Sequence, residues 1–274
     1  MKLKAIFIIF NVLVVLSFLF VFFMPALFLG WEYTRIFWTS NWYLAVVFVA
    51  VLVVLNWYFI GNKRLFSALE EEDWEAVISV IEDRIYRKHR YTPGNVRLLV
   101  NAYVVTSKSG KVQQLEDHLR ENRYRVVQRN ALIFGIPHLL SNDGEEMARY
   151  YGEFLDSGRG EARDWIRWNY AFALMLQQKL VDAREILEDL CRRSKPGIIA
   201  AVSAYLLSAY ASESPDAVEL SDRTREAIRA AMSRKEWNKK VDKARGELHV
   251  LVLSKLLQDV EEWLYADQSA AAAE

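Results

Sequence analysis

Two long uncharged stretches near the N-terminus constrain this chain more than any other feature. Residues 5–31 contain no Asp, Glu, Lys or Arg, and neither do residues 36–62; each stretch is 27 residues long. A helix needs about 20 apolar residues to cross the ~30 Å hydrocarbon core of a bilayer. We therefore predict two membrane-spanning helices, at about 5–29 and 41–61, which together form a hairpin anchor over residues 1–61.

Basic residues flank the two predicted spans unequally. Lys2 and Lys4 precede the first span, Lys63 and Arg64 follow the second, and the connection between the spans holds only Arg35. Cytoplasmic flanks carry an excess of Lys and Arg. We therefore predict a multi-pass protein of the inner (cytoplasmic) membrane with both termini in the cytoplasm, and the compact layout without targeting signals suggests a bacterial protein.

A cleaved signal peptide is the competing interpretation of residues 1–30. This stretch lacks a small-residue cleavage site, and its apolar run exceeds the ~7–15 residues usual for the core of a signal peptide. If cleavage did occur, the second span would still leave the following domain in the cytoplasm.

Polar side chains inside the predicted spans are few. Asn11, Ser17 and Asn56 are candidates for a helix–helix hydrogen bond or a subunit contact, or are amides tolerated near a helix end. Transporters, channels and proton relays place ionisable groups at depth. The spans contain none, which favours an anchor.

Charge is balanced in the rest of the chain. The whole chain has 35 basic and 35 acidic residues, of which residues 1–61 hold three and one, so that 32 basic and 34 acidic residues remain. This near neutrality argues against a polybasic nucleic-acid binder. We expect no nucleic-acid partner.

Helical periodicity runs through the sequence beyond Asn62, and the fold class is predicted to be all-α. The predicted helices are 62–71, 73–89, 94–106, 111–122, 126–140, 143–156, 161–178, 180–193, 197–210, 214–233 and 235–266. Together they form one helical domain over 62–266, followed by a disordered tail over 267–274.

These helices recur in pairs. The second helices of successive pairs begin near residues 73, 111, 143, 180 and 214, at intervals of about 32–38 residues. A period in this range is typical of an α-solenoid, in which each helix pair buries its apolar face against the next pair.

The unit from Asp164 to Pro196 carries the pattern best, with the sequence Trp-Asn-Tyr-Ala-Phe-Ala-Leu over 168–174. Here the chain resembles the tetratricopeptide repeat (TPR) family. That resemblance assigns Tyr170-Ala171 to a large–small pair on the first helix, Ala183 to the crossing of the two helices and Pro196 to the end of the second. It covers roughly 62–233, with a second partial match at 73–76, and implies a protein that binds partners.

The predicted last long helix, 235–266, is apolar on more than one face. A solenoid cap presents a polar outer surface. We therefore expect this helix to fold over the preceding pair as a cap, or else to meet another chain.

Residues that carry chemistry do not cluster in the sequence. The four histidines, His89, His118, His138 and His249, show no metal-binding spacing, and a single cysteine, Cys191, excludes an intrachain disulfide. The loop at 107–112 looks superficially like a phosphate loop but lacks its first Gly and the Ser or Thr that binds magnesium. We expect no enzyme, and no catalytic, cofactor-binding or metal-binding residue.

An aromatic stripe is the strongest candidate for partner binding. Trp165, Trp168, Phe172 and Met175 are spaced by three, four and three residues, so they share one face of a helix. In the TPR family the first helix of each pair lines a concave groove, which would make the stripe an apolar anchor site. Packing against the neighbouring repeat explains the same pattern.

A second candidate site faces the bilayer. If the second span continues into helix 62–71 and helix 73–89 runs back beside it, the latter's C-terminal end returns to the headgroup layer. The membrane-surface residues would then be Lys63, Arg64, Arg84, Arg87, Lys88 and Arg90. Basic residues at a helix C-terminus also stabilise its dipole, which is the alternative explanation.

We thus expect a membrane-anchored adaptor whose cytoplasmic helical-repeat domain docks partner proteins at the inner membrane. Its partners would be other proteins, as a peptide segment or as subunits of a membrane complex, together with the lipid bilayer, and a homo-oligomer is a further option. One alternative is a scaffold subunit of a secretion, envelope-assembly or flagellar-motor complex. Another is a regulator or enzyme of envelope metabolism.

Overall fold

The computed structural model describes residues 2–28, 30–209 and 214–271, and these described residues contain helices and no strand. Residue 29 of the first predicted span, residue 210 of predicted helix 197–210 and residues 272–274 of the predicted tail lie outside them. The chain forms two compact units, Met1–Lys88 and His89–Glu274.

The first unit contains three helices among its described residues. They are α1 (Lys2–Phe28), α2 (Trp31–Glu70) and α3 (Trp74–Glu82), which a π-helical turn (Asp83–Arg87) continues. Both α1 and α2 are long and apolar enough to cross a membrane, by length and composition. They pack against each other, with the rings of Phe7 and Phe59 stacked at 3.7 Å between centroids.

The predicted connection between the spans is helical. Residues 31–40 belong to α2, which bends where Asn41 leaves helical geometry (φ −122°, ψ 19°). The reversal is confined to the region of Gly30, whose φ of 83° is a conformation that glycine adopts at little cost. Residues 31–40 contain neither Gly nor Pro, so they contain no residue that interrupts a helix. The Trp38 indole of this segment donates a hydrogen bond to the Phe22 carbonyl of α1 at 2.9 Å.

Helix α2 continues beyond its apolar part, as predicted, and ends at Glu70. Its last turns bury Leu65 and Ala68, while α3, which packs against α2, buries Val77 and Ile81. The Asp73 carboxylate caps α3 by accepting from the Ala76 N–H at 3.0 Å.

The second unit contains twelve helices among its described residues. They are α4 (Pro93–Val105), α5 (Ser109–Arg129), α6 (Ala131–Phe134), α7 (Ile136–Ser141), α8 (Gly144–Glu153), α9 (Glu161–Leu176), α10 (Leu180–Arg193), α11 (Ile198–Ser208), α12 (Pro215–Ala231), α13 (Arg234–Ala244), α14 (Leu248–Val252) and α15 (Ser254–Ala271).

Consecutive helices from α8 to α12 pack on one another and form the centre of this unit. Ala171 and Ala183 are fully buried, on α9 and α10 respectively, which pack together. Small residues let helix backbones approach closely, which accounts for the alanines that the repeat pattern singled out.

The predicted helix 126–140 is broken into short pieces. Helix α5 contains a non-helical residue, Arg123, and the chain then changes direction between α6 and α7 at Gly135. A Cβ at Gly135 would lie 2.6 Å from Tyr151 Cζ, and the Tyr151 hydroxyl donates to the Gly135 carbonyl at 2.9 Å. The absence of a side chain at Gly135 therefore leaves room for the buried Tyr151 ring, while Pro137, which lacks an N–H, accounts for the interruption of the helix.

The single long C-terminal helix predicted at 235–266 is wrong. The segment forms α13, α14 and α15, with interruptions at 245–247 and at Leu253. A straight helix would leave part of its apolar surface in water. The turn around Gly246 instead carries His249 and Val250 into the core, where they are 3% and 2% exposed.

Helix α15 covers the end of the helical array. It packs on α11, α12 and α13, and it buries Leu257, Val260 and Leu264. The Tyr265 hydroxyl donates to the Met232 carbonyl at 3.0 Å. Helix α15 continues to Ala271, past the predicted end of the last helix at 266, so residues 267–271 of the predicted disordered tail are helical.

Candidate functional site

The aromatic stripe lies along α9 as predicted, but its first half is core. Trp165 and Trp168 are 3% and 0% exposed, whereas Phe172 and Met175 are half-buried. The Trp168 ring meets Trp165 edge-on at 5.7 Å and stacks on Phe172 at 5.5 Å.

The C-terminal segment covers the tryptophan end of this stripe. The His249 ring packs against the Trp165 ring at 5.1 Å between centroids, at an interplanar angle of 71°. Trp165 and Trp168 therefore do not line an open groove, because the chain's own α14 occupies the position that a partner would need. Of the two explanations of the stripe, internal packing holds for these residues.

The predicted membrane-surface residues fall in both units. Lys63 and Arg64 are exposed on α2, and Arg84 is half-buried in the π-helical turn. Arg90 belongs to the second unit, so nothing in the structure groups it with the others.

Two of these cations already have a carboxylate partner. Lys88 and Arg87 bind opposite oxygens of Asp83, at 2.6 Å and 3.0 Å. The Lys88 hydrogen bond lowers the pKa of Asp83, so this carboxylate stays ionised at neutral pH. Asp83 neutralises only one of these two charges, so one positive unit remains there in addition to the charges of Lys63, Arg64 and Arg84.

A cleft in the second unit gathers basic residues that are far apart in sequence. It has a volume of about 460 Å³ and lies among α4, the junction of α5 and α6, the first turn of α9, α11, α13 and α14. Arg97, Arg129, Lys240 and Lys243 line it, with Glu161 and Glu247 as the acidic residues. We call this feature the cationic cleft; its side chains carry a net charge of two positive units.

Apolar and neutral groups form the rest of this lining. Leu132, Ile133, Trp165, Ile198 and Val250 line the cationic cleft together with His249. Burial lowers the pKa of His249 to about 4, and the nearby Arg97 guanidinium acts in the same direction. The imidazole is therefore neutral at physiological pH.

A small cavity adjoins the cationic cleft. It measures about 30 Å³, and its lining includes Arg97, Asn101 and His249. Among the described residues, neither Asn101 Oδ1 nor His249 Nε2 has a hydrogen-bond partner, although both atoms are buried. Such unsatisfied groups are rare in protein interiors and call for a polar partner.

A separate ion network joins α5 to α8. Arg120 donates to Glu116 at 2.7 Å and to Glu153 at 2.6 Å, and the Tyr124 hydroxyl donates to Glu153 at 2.9 Å. Burial raises the pKa of Glu116, whereas the Arg120 hydrogen bond lowers the pKa of Glu153. The network lies partly exposed, and its single guanidinium bridges carboxylates of two helices, which suits a structural clamp.

The other chemical candidates stay apart in the structure. Within 2–28, 30–209 and 214–271, no three His, Cys, Asp or Glu side chains approach closely enough to hold a metal ion. Cys191 is buried, and this burial raises the pKa of its thiol to about 12, so it is not a reactive thiolate.

Sequence reasoning missed the cationic cleft because its residues do not form a local pattern. Arg97 and Lys243 lie near opposite ends of the second unit, and no helical or strand spacing relates them. The sequence contained one signal of this arrangement. Segment 235–266 is apolar on more than one face, so a single helix on the outside of the domain could not bury all of its apolar residues.

Comparison with known proteins identifies relatives by sequence. A protein family described as "Uncharacterised Treponema protein" matches residues 111–266. An "Uncharacterized protein" of Treponema pallidum (strain Nichols) is 25% identical over 281 aligned positions, which cover 97% of this chain and 88% of the relative. No solved structure matches the chain.

Proposed function

The chain belongs to the family described as an uncharacterised Treponema protein, and for it we propose the function of a membrane-anchored adaptor. Its helical domain docks partner proteins at the cytoplasmic face of the inner membrane, and α1 and α2 hold that domain in place. The alignment with the Treponema relative covers 97% of this chain, so it takes in both the apolar helices and the helical domain. An alignment that spans both parts favours an anchor that stays with the domain.

One observation carries the anchor part of this proposal. Helix α2 runs from its apolar stretch into the polar turns that pack against α3 as a single helix. A continuous helix transmits position and orientation, which a flexible linker does not. This continuity favours a second span that supports α3 rigidly.

The docking part rests on how the second unit is built. Helices α8 to α12 pack consecutively, with Ala171 and Ala183 buried where α9 meets α10. We infer a TPR-like solenoid from this arrangement. Repeat arrays of this kind offer extended surfaces for binding other proteins.

Contact with the bilayer surface completes the proposal. The connection between α2 and α3 is only three residues long, so α3 runs back beside α2, and its π-helical end lies ~20 Å from the turn at a rise of about 1.5 Å per residue. This brings Arg84 back towards the level of Lys63 and Arg64. Each such cation contributes about 1 kcal/mol of attraction to an anionic membrane surface.

Quantitative copurification tests the docking function. The full chain, tagged and extracted in mild detergent from its native membrane, should retain specific proteins that a version ending at Lys88 does not retain. A stoichiometric set of subunits would favour the scaffold alternative over the adaptor. Retention of the same proteins by both versions would contradict docking by the helical domain.

A further inference from the structure

The cationic cleft has the dimensions of a small-molecule site. Its volume of about 460 Å³ falls within the ~300–1,000 Å³ typical of such sites. The C-terminal segment forms one of its walls through α13 and α14. This wall distinguishes the cleft from a long groove that runs along a helical array.

The basic residues of the cleft lack the carboxylate partners that other arginines of the same unit have. Within the described residues, Arg97, Arg129 and Lys243 make no hydrogen bond or ion pair through their side chains, and Lys240 Nζ reaches only the Pro196 carbonyl, at 3.4 Å. By contrast, several other arginines of this unit pair with a carboxylate, among them Arg120 with Glu153, Arg167 with Asp189 and Arg193 with Asp164.

This surplus of positive charge favours an anion. Cations gathered in one cleft repel each other, and an anionic ligand relieves that repulsion while it gains charge-assisted hydrogen bonds. Glu161 and Glu247 compensate only half of the four cations. Guanidinium groups bind carboxylate and phosphate alike, so the electrostatics define an anionic headgroup of either chemistry.

Apolar side chains form the floor of the cleft. Trp165, Ile133 and Ile198 present apolar surface to it, which a hydrated ion would not cover. His249 and Asn101 add buried polar atoms without partners, among the described residues, beside this floor. An apolar body attached to the headgroup would pack against the small exposed part of these largely buried side chains and exclude water from it.

We propose that the cationic cleft binds a small amphipathic organic anion, with a phosphate or carboxylate held by Arg97, Arg129 and Lys243 and an apolar body against Trp165 and Ile198. This site is independent of the docking function proposed above. Ligand binding would stabilise the packing of α13 and α14 against the rest of the domain, because residues from both parts line the cleft.

The test uses the full chain in lipid nanodiscs and two probes, 1-naphthyl phosphate and 1-naphthoate, which share an apolar body and differ in headgroup. Isothermal titration against empty nanodiscs measures binding to the protein alone. We expect one saturable site for at least one probe, and inorganic phosphate alone should bind at least about tenfold more weakly, because it lacks the apolar body.

Variants decide whether the cleft is the site. Arg97→Gln and Lys243→Gln should each weaken probe binding by about tenfold, as expected for loss of one charge-assisted hydrogen bond. Arg159→Gln, a matched change of an exposed arginine outside the cleft, should leave binding unchanged. All three positions are exposed, so circular dichroism should show the same fold in each variant.

Three results would overturn the proposal. They are failure of both probes to bind, equal binding by the cleft variants and the wild type, and tighter binding of hexaglutamate than of either probe. The last result would assign the cleft to an acidic peptide.

Discussion

The side chains of Asn11 and Asn56, 45 residues apart, join α1 to α2 through a hydrogen bond of 2.8 Å from Asn56 Nδ2 to Asn11 Oδ1. Each amide also donates to a carbonyl of its own helix, Asn11 to Phe7 at 2.9 Å and Asn56 to Leu52 at 2.8 Å. Of the alternatives that the sequence left open for these two residues, the structure shows the helix–helix hydrogen bond. It fixes the register of two helices that otherwise pack largely through apolar side chains.

Loss of this contact should loosen the hairpin. Asn56→Leu removes the interhelical hydrogen bond, and interactions of this kind in membrane helices contribute about 0.6–2 kcal/mol. Energy transfer between labels on cysteines placed at Ile9 and Ile60, in a Cys191→Ala background, should report separation of α1 and α2 at a lower SDS concentration than in the parent. Ser17→Ala, an exposed change in α1, is the control and should not shift the midpoint; a shift as large as that of Asn56→Leu would contradict the assignment.

The buried position of Trp168 predicts a large loss of stability on truncation. Trp168→Ala should cost about 3–5 kcal/mol, because it leaves a cavity beside Trp165 and Phe172. Leu176→Ala, on the same helix but 38% exposed, should cost less than about 1 kcal/mol. Chemical unfolding followed by circular dichroism measures the free energy of unfolding of both variants. A value for Trp168→Ala close to that of the wild type would show that this tryptophan is not in the core.

The Arg120 network should stabilise the second unit more than a surface ion pair does. Arg120→Met leaves Glu116, whose side chain is 7% exposed, without its cation, and we expect a loss of about 2–3 kcal/mol. Arg192→Met breaks a pair with Glu188 in which the arginine is 65% exposed, and should cost less than about 1 kcal/mol. The double variant Arg120→Met/Glu116→Gln should recover part of the loss; no recovery would mean that Arg120 contributes packing over Phe154 instead of charge.

Burial of His249 predicts a stability that falls as the pH is lowered. Its pKa is about 4 in the folded chain against an ordinary 6.5, so between these values the unfolded state binds the proton and the folded state does not. The contribution of His249 to the free energy of unfolding is therefore complete above pH 6.5. It is lost as the pH falls towards 4, by about 3 kcal/mol in total.

Chemical unfolding at several pH values measures this dependence. Burial also lowers the pKa of His138, so the wild type has more than one contribution of the same sign. The comparison is therefore with His249→Asn, which should be less stable near neutral pH but lose less stability on acidification. Equal losses in the two proteins would contradict a neutral, buried His249.

The sequence predicted the elements whose signal is local. The uncharged stretches predicted α1 and the apolar part of α2, and the periodicity predicted α9 and α10 with bounds of 161–178 and 180–193 against the observed Glu161–Leu176 and Leu180–Arg193. These predictions hold because composition and spacing within one segment determine them.

Contacts between distant segments determine the features that the sequence could not predict. Gly135 leaves the space that the Tyr151 ring occupies, and residues 235–266 divide into three helices, of which α14 brings His249 against Trp165. The cationic cleft depends on the same association of distant segments, since it is lined by Lys240 and Lys243 together with Arg97. The same fold-back turned a predicted groove residue, Trp165, into a core residue.

Membrane integration and topology test the central proposal most directly. In bacterial cells, the full chain should remain in the membrane fraction after alkaline carbonate extraction. A fusion at Glu274 should be active with a reporter that works only in the cytoplasm and silent with one that works only in the periplasm. Release by carbonate, or strong activity of the periplasmic reporter, would contradict a helical domain anchored at the cytoplasmic face.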